Sequence, residues 1–123
     1  MILSIALIRI TIINKRLIMN YFIFLVTVPN IEEGQRIAKF LVESKLAACV
    51  NIIQNVFSIY RWKGKIEEDN EHLLLIKTIE ENCTSLIQKI NEIHSYETPE
   101  CIGFKIEKGS EKYLKWIQEV VEQ

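Results

Sequence analysis

The 123-residue chain lacks the motifs by which most enzyme classes are read: there is no GxSxG, HExxH, Walker lysine loop or GxGxxG. Serine, histidine and aspartate follow no catalytic order either, so a non-catalytic protein is expected. An excess of charge of one sign is also missing. Fifteen basic and sixteen acidic residues leave a net charge of −1, which gives no basic footprint for nucleic acid or for an anionic membrane. The segment Cys101-Ile102-Gly103-Phe104-Lys105-Ile106 lacks the basic, glycine-rich aromatic motif of an RNA-reading strand. Paired cysteines are absent as well. Cys49, Cys83 and Cys101 are odd in number and widely spaced, with no CxxC, so no disulfide framework is expected and a reducing, cytoplasmic setting fits. The acidic run Glu67-Glu68-Asp69-Asn70-Glu71 has no central glycine of an EF-hand loop. It reads as an exposed strand edge whose charges discourage edge-to-edge pairing.

No repeat, low-complexity segment or linker divides the chain, and at 49% hydrophobic residues it can bury one core. Met1 to Ile13 is almost wholly apolar but broken by Arg9, and it is too short for the ~20 residues a membrane helix needs. Without a basic leader ahead of the apolar part or a small-residue cleavage site, it does not read as a signal peptide. Residues 1–18 are read as an N-terminal extension, an over-long gene start with Met19 as the natural first residue, an ordered extra strand being the alternative. Residues 19–123 are read as a single domain.

Within that domain, Tyr21 to Val28 is a continuous apolar run closed by Pro29, which suits a central strand buried on both faces. Asn30, with Glu33 three residues on, forms a capping box that opens a helix carrying Ile37, Ala38, Leu41 and Val42 on one side. A long β-branched and aromatic stretch from Cys49 follows. Val56 to Trp62 leads into a hairpin and Leu73 to Thr78 returns, with the reversal at Lys63-Gly64-Lys65. Asn82 or Thr84 caps a second helix with the apolar stripe Leu86, Ile87, Ile90 and Ile93. Ser95 to Pro99 reads as a loop, Glu100 to Glu107 as a fourth strand, and Ser110 as the cap of a last helix. That helix carries more apolar surface than one buried stripe needs: Tyr113, Trp116 and Val120 are left over for a second copy of the chain. The order is the split βαββαβ pattern of an α+β ferredoxin-like sandwich, with a long β2–β3 hairpin and a C-terminal helix.

Soft or borderline metal ligands are available in the three cysteines, His72 and His94. Cys83 and His94 stand at opposite ends of one helix, ~16 Å apart at ~1.5 Å per residue, and cannot share an ion within a subunit. Cys49 equally suits a small buried packing group. His94 equally suits a cationic cap at a helix C-terminus.

Five blocks together resemble a known family: Lys45-Leu46-Ala47-Ala48-Cys49-Val50-Asn51, the hairpin Ser58-Ile59-Tyr60-Arg61-Trp62-Lys63-Gly64-Lys65-Ile66-Glu67, Leu74-Leu75-Ile76-Lys77-Thr78, Tyr96-Glu97-Thr98-Pro99-Glu100 and Tyr113-Leu114-Lys115-Trp116-Ile117. They are similar to the CutA divalent-cation tolerance proteins from Tyr21 to about Val121. The resemblance implies a homotrimer like that of the PII signalling proteins, with long hairpins extending sheets across subunits. It also implies a part in tolerance of divalent cations, chiefly copper, with no organic cofactor. Some bacterial members resemble metal binders that use a cysteine at the end of the first strand and a His-His pair ahead of Pro-Tyr. This chain has Val26, Ile93-His94 and Ser95-Tyr96 at those positions, which leaves His94 and Cys49 as the metal-ligand candidates. Gln54-Asn55 stand where the family often has Pro-Gly, so the kink of the long strand lacks its usual residues. The alternative implied is a PII-like signalling or scaffold protein that binds a small ligand or partner in intersubunit clefts lined by Trp62, Lys77, Tyr96 and Glu100.

Overall fold

The computed structural model describes residues 18–122. The expected N-terminal extension therefore lies, but for Ile18, outside the described residues. Strand β1 (Tyr21–Val28) leads to helix α1 (Ile31–Glu43), then to the long strands β2 (Cys49–Trp62) and β3 (Lys65–Ile79). A single 3₁₀ turn (Glu80–Asn82) precedes α2 (Cys83–Ile93), followed by β4 (Ile102–Ile106) and α3 (Glu111–Glu122). All strand pairs are antiparallel in the order β2-β3-β1-β4, which is the ferredoxin-like topology the element order implies.

Strand alternation decides which residues enter the core. Phe24, Val26 and Val28 of β1 and Leu74 and Ile76 of β3 meet Ile37 and Leu41 of α1 and Leu86 and Ile90 of α2. The opposite face is thinner. There α3 covers Ala48 and Ile79 with Ile117 and Val121, while Ile23, Leu25, Leu73 and Leu75 stay half-buried. Strand β1 is central, as its apolar run implies, but in the isolated chain only one of its faces is closed.

The local signals act mostly as the sequence suggests. Asn30 Oδ1 accepts the Glu33 N–H at 2.8 Å, and Ser110 Oγ accepts the Tyr113 N–H at 3.2 Å, each satisfying an otherwise unpaired donor of a first helical turn. The reciprocal half of the capping box is not made, because the Glu33 carboxylate turns inward to the Ser95 N–H at 3.1 Å. Asn82 does not cap α2 with its side chain; its amide reaches the Lys45 carbonyl at 3.1 Å and Thr78 Oγ1 at 3.2 Å. The hairpin turns in two residues, Lys63 and Gly64, both with positive φ (49° and 79°), as a type I′ reversal requires. With so short a turn, the acidic run lies inside β3.

The long strand does kink without Pro-Gly. The β2–β3 register shifts between Ile53 and Val56, where Asn55 takes φ 62° and donates its N–H to His72 Nδ1 at 3.3 Å. Asparagine tolerates the left-handed conformation better than any other residue but glycine, so Gln54-Asn55 supplies the extra residue of a bulge.

Candidate functional site

The end of the hairpin and the loop after α2 flank an open cavity of about 860 Å³, within the size range of small-ligand pockets. Three of the residues expected in a cleft meet there: Trp62 from β2, and Tyr96 and Glu100 from the loop. Lys77 is elsewhere. It stands opposite Cys49 on β3, hydrogen-bonds Asn51 Oδ1 and lies over the Tyr113 ring at 5.7 Å.

Glu71 and Tyr60 complete the cavity wall, and neither was singled out by the sequence. Glu71, expected to be exposed with the rest of the acidic run, is only 5% exposed. Its Oε2 accepts the Tyr96 hydroxyl hydrogen at 2.8 Å. A charged residue placed where an apolar strand meets a polar run was the one available hint. Tyr60 donates its hydroxyl to Asp69, and that bond, which favours the protonated phenol, pushes it up to about 12. Burial and the bond to Glu71 also raise Tyr96. The Glu100 carboxyl is held above its ordinary value by burial and by the Glu71 charge. The wall is thus aromatic and negative.

His94 fixes the loop that carries Tyr96 and Glu100. Its imidazole is buried, with Nε2 at 2.7 Å from the Thr27 carbonyl and Nδ1 at 3.0 Å from the Tyr96 N–H. A carbonyl can only accept and a backbone N–H can only donate, so Nε2 carries the hydrogen and Nδ1 the lone pair. Both ring nitrogens are spent, which leaves no free donor atom for a metal ion. The ring points into the protein rather than at the last carbonyls of α2, so it does not act as an exposed cationic cap. Glu33 Oε2 lies 3.4 Å from Nδ1 and ties the same loop through Ser95.

Cys49 is half-buried with Sγ 3.8 Å from Asn51 Oδ1. It stands opposite Lys77, whereas His94 reaches Thr27 opposite Leu73. Four strand residues, ~13 Å at ~3.3 Å each, separate the two candidate ligands. Burial, with a smaller contribution from Glu100, pushes the Cys101 thiol up to about 11, and burial also raises Cys83; both pack against the core. Among the described residues no group of three or more His, Cys, Asp or Glu side chains is placed to hold a metal ion. No helix among them is long and apolar enough to cross a membrane.

Comparison with known proteins agrees with this architecture. The family model described as CutA1 divalent ion tolerance protein matches residues 22–120. "Protein CutA, chloroplastic" of Arabidopsis thaliana is 46% identical over 93 residues, 76% of this chain, but the chain spans only about half (51%) of that relative's length. "Divalent-cation tolerance protein CutA" of Thermus thermophilus is 44% identical over 97 residues, covering 79% of this chain and 94% of the relative. The solved structure of the "Periplasmic divalent cation tolerance protein CutA" from Archaeoglobus fulgidus superposes with a TM-score of 0.79 at 40% identity, covering 82% of this chain and 98% of that one. With a family model across most of its length and a relative matched almost end to end, the chain belongs to the CutA1 divalent ion tolerance protein family.

Proposed function

We propose that this chain serves divalent-cation tolerance as a non-catalytic, cytoplasmic homotrimer that binds a small ligand in the cleft between its hairpin and the 95–100 loop. The observation that carries this reading is the cavity itself, which brings Trp62, Tyr96 and Glu100 together from distant parts of the sequence. Rings and carboxylates line it, groups by which a ligand can be held. Three unpaired cysteines favour a reducing compartment.

The trimer is supported by apolar surface that an isolated chain leaves wet. Ile66 (59% exposed) lies on the hairpin beyond the cavity, and Ile102 (57%) and Phe104 (51%) on the edge strand β4. Exposed bands of this kind mark association surfaces. Light scattering is expected to give three times 14.4 kDa; a monomer would refute the assembly.

Copper, the ion the resemblance implies, would have to be taken by Cys49, because His94 is fully engaged. The neighbouring Lys77 ammonium opposes a cation there, so any uptake is weak and lost in Cys49→Ser. The ligand-cleft reading is tested with the Trp116→Phe variant, which leaves Trp62 as the sole tryptophan of the two. A screen of polar metabolites by Trp62 fluorescence is expected to return at least one saturable ligand. A screen in which nothing moves that signal would refute the binding cleft.

A further inference from the structure

His94 holds the loop after α2 through a ring nitrogen that has two rival neighbours. Its Nε2–H donates to the Thr27 carbonyl at 2.7 Å, and its Nδ1 lone pair accepts the Tyr96 N–H at 3.0 Å. Glu33 Oε2 stands 3.4 Å from that same Nδ1 and accepts the Ser95 N–H at 3.1 Å. These contacts all lie within one chain, so they do not depend on how copies associate. While the imidazole is neutral, its lone pair and the carboxylate are both acceptors and cannot bond. A proton taken from solvent at Nδ1 reverses the preference, because the new N–H suits the carboxylate and opposes the Tyr96 N–H. Oε2 can accept this hydrogen and that of Ser95 together, since a carboxylate oxygen carries two lone pairs.

Burial alone resists a charge on the ring, but a protonated His94 would keep the Thr27 carbonyl and gain the buried Glu33 carboxylate. Helix α1 also brings Arg36, whose Nη2 donates to the Ile93 carbonyl at 3.2 Å. Strand β1 carries no charged residue. Strand β3 brings Glu71, engaged by the Tyr96 hydroxyl, and His72, engaged by the Asn55 N–H. The end of α2 carries Glu92, paired with Lys89, and the loop carries the exposed Glu97 and Glu100. Among the described residues, Glu33 is the carboxylate within ion-pair distance of His94. We infer that His94 and Glu33 form a proton-operated switch on the 95–100 loop: neutral His94 holds the Tyr96 N–H, and protonated His94 releases it to bond Glu33, with Ser95 held in both states. Histidine ordinarily changes charge between pH 5 and 8. Tyr96 lines the cavity, so mild acid frees that wall at one residue while the start of the loop stays anchored.

The test follows the full chain by NMR from pH 8 to pH 5, reading the His94 ring nitrogens and the exchange of the Ser95 and Tyr96 amides, each corrected for its intrinsic pH dependence. As the ring gains its proton, protection of Tyr96 is expected to fall about fivefold or more while Ser95 stays within about twofold. Glu33→Gln keeps an acceptor for the Ser95 N–H and removes the charge, so the loss at Tyr96 is expected to move about one pH unit or more toward acid. Glu100→Gln removes the other group of the loop whose proton is held more tightly by folding, and it is expected to leave the Tyr96 profile in place. A ring still neutral at pH 5, or a ring that titrates with Tyr96 unchanged, would overturn the switch. So would loss of both amides together, a profile unmoved by Glu33→Gln, or one abolished by Glu100→Gln. The comparison of the two amides in the parent decides the matter even if Glu33→Gln fails to fold.

Discussion

Replacing His94 tests whether this residue anchors a loop or holds a metal, since the two roles predict opposite results. His94→Ala removes the bond to the Thr27 carbonyl at 2.7 Å and the bond from the Tyr96 N–H at 3.0 Å. Thr27 is itself buried, so its carbonyl is left without a partner, a loss of ~1–3 kcal/mol. The exposed end of the loop can rehydrate its N–H, and the ring contact with Tyr96, 4.7 Å between centroids, is lost as well. A total of about 3 kcal/mol is expected, within the range typical of a broken buried network. His94→Asn should recover roughly half, because an asparagine side-chain oxygen accepts the N–H two residues on, as in an Asx turn, while nothing replaces the donor to Thr27. The assay is urea unfolding at fixed protomer concentration, since association contributes to the apparent stability, with amide exchange at Ser95 and Tyr96 reporting the loop itself. His94→Ala within about 0.5 kcal/mol of the parent, with those amides still protected and copper uptake abolished, would refute the anchoring role and restore His94 as a ligand.

Two further outcomes are expected. A Cβ at Gly103 would stand 2.4 Å from the Phe24 ring, which is packed in the core, so Gly103→Ala should cost about 1–3 kcal/mol by overpacking; an unchanged urea midpoint would show that the ring has room to move. Glu100 binds its proton more tightly folded than unfolded, because burial and Glu71 raise it above 4.5. Stability therefore falls as pH rises from the ordinary carboxylate value through the raised one. Glu100→Gln should melt higher than the parent at pH 7 and level with it below about pH 4, and a constant offset across that range would reject the assignment.

Much of this architecture was legible because it depends on neighbours in sequence. The β1 run, the caps at Asn30 and Ser110 and the Lys63-Gly64 reversal are local choices of dihedral angle and hydrogen bond. What failed to be read involved partners far along the chain. Glu33 was expected to close its capping box but binds Ser95, and Asn82 was expected to cap α2 but binds the Lys45 carbonyl. In each case the side chain turns to a partner far along the chain instead of to the adjacent helix end, and Asn82 also has a helical backbone (φ −93°, ψ −9°) rather than the extended one of an N-cap. Gln54-Asn55 gave no kink signal, yet the bulge forms because Asn55 accepts a positive φ.

The candidate site divides in the same way. Trp62, Tyr96 and Glu100, named from the sequence for a cleft between subunits, line one cavity of the single chain, while Lys77, named with them, lies by register at the Cys49 end of the sheet. Sequence alone determined the element order, the hairpin and the family, since hydrophobic period, turn chemistry and spaced blocks are properties of the linear chain. Only the tertiary structure decided that Glu71 is buried, that both nitrogens of His94 are engaged and that the cleft wall is negative and aromatic. Those depend on which side chains from β2, β3 and the 95–100 loop arrive within hydrogen-bonding distance, and spacing along the chain does not encode that proximity.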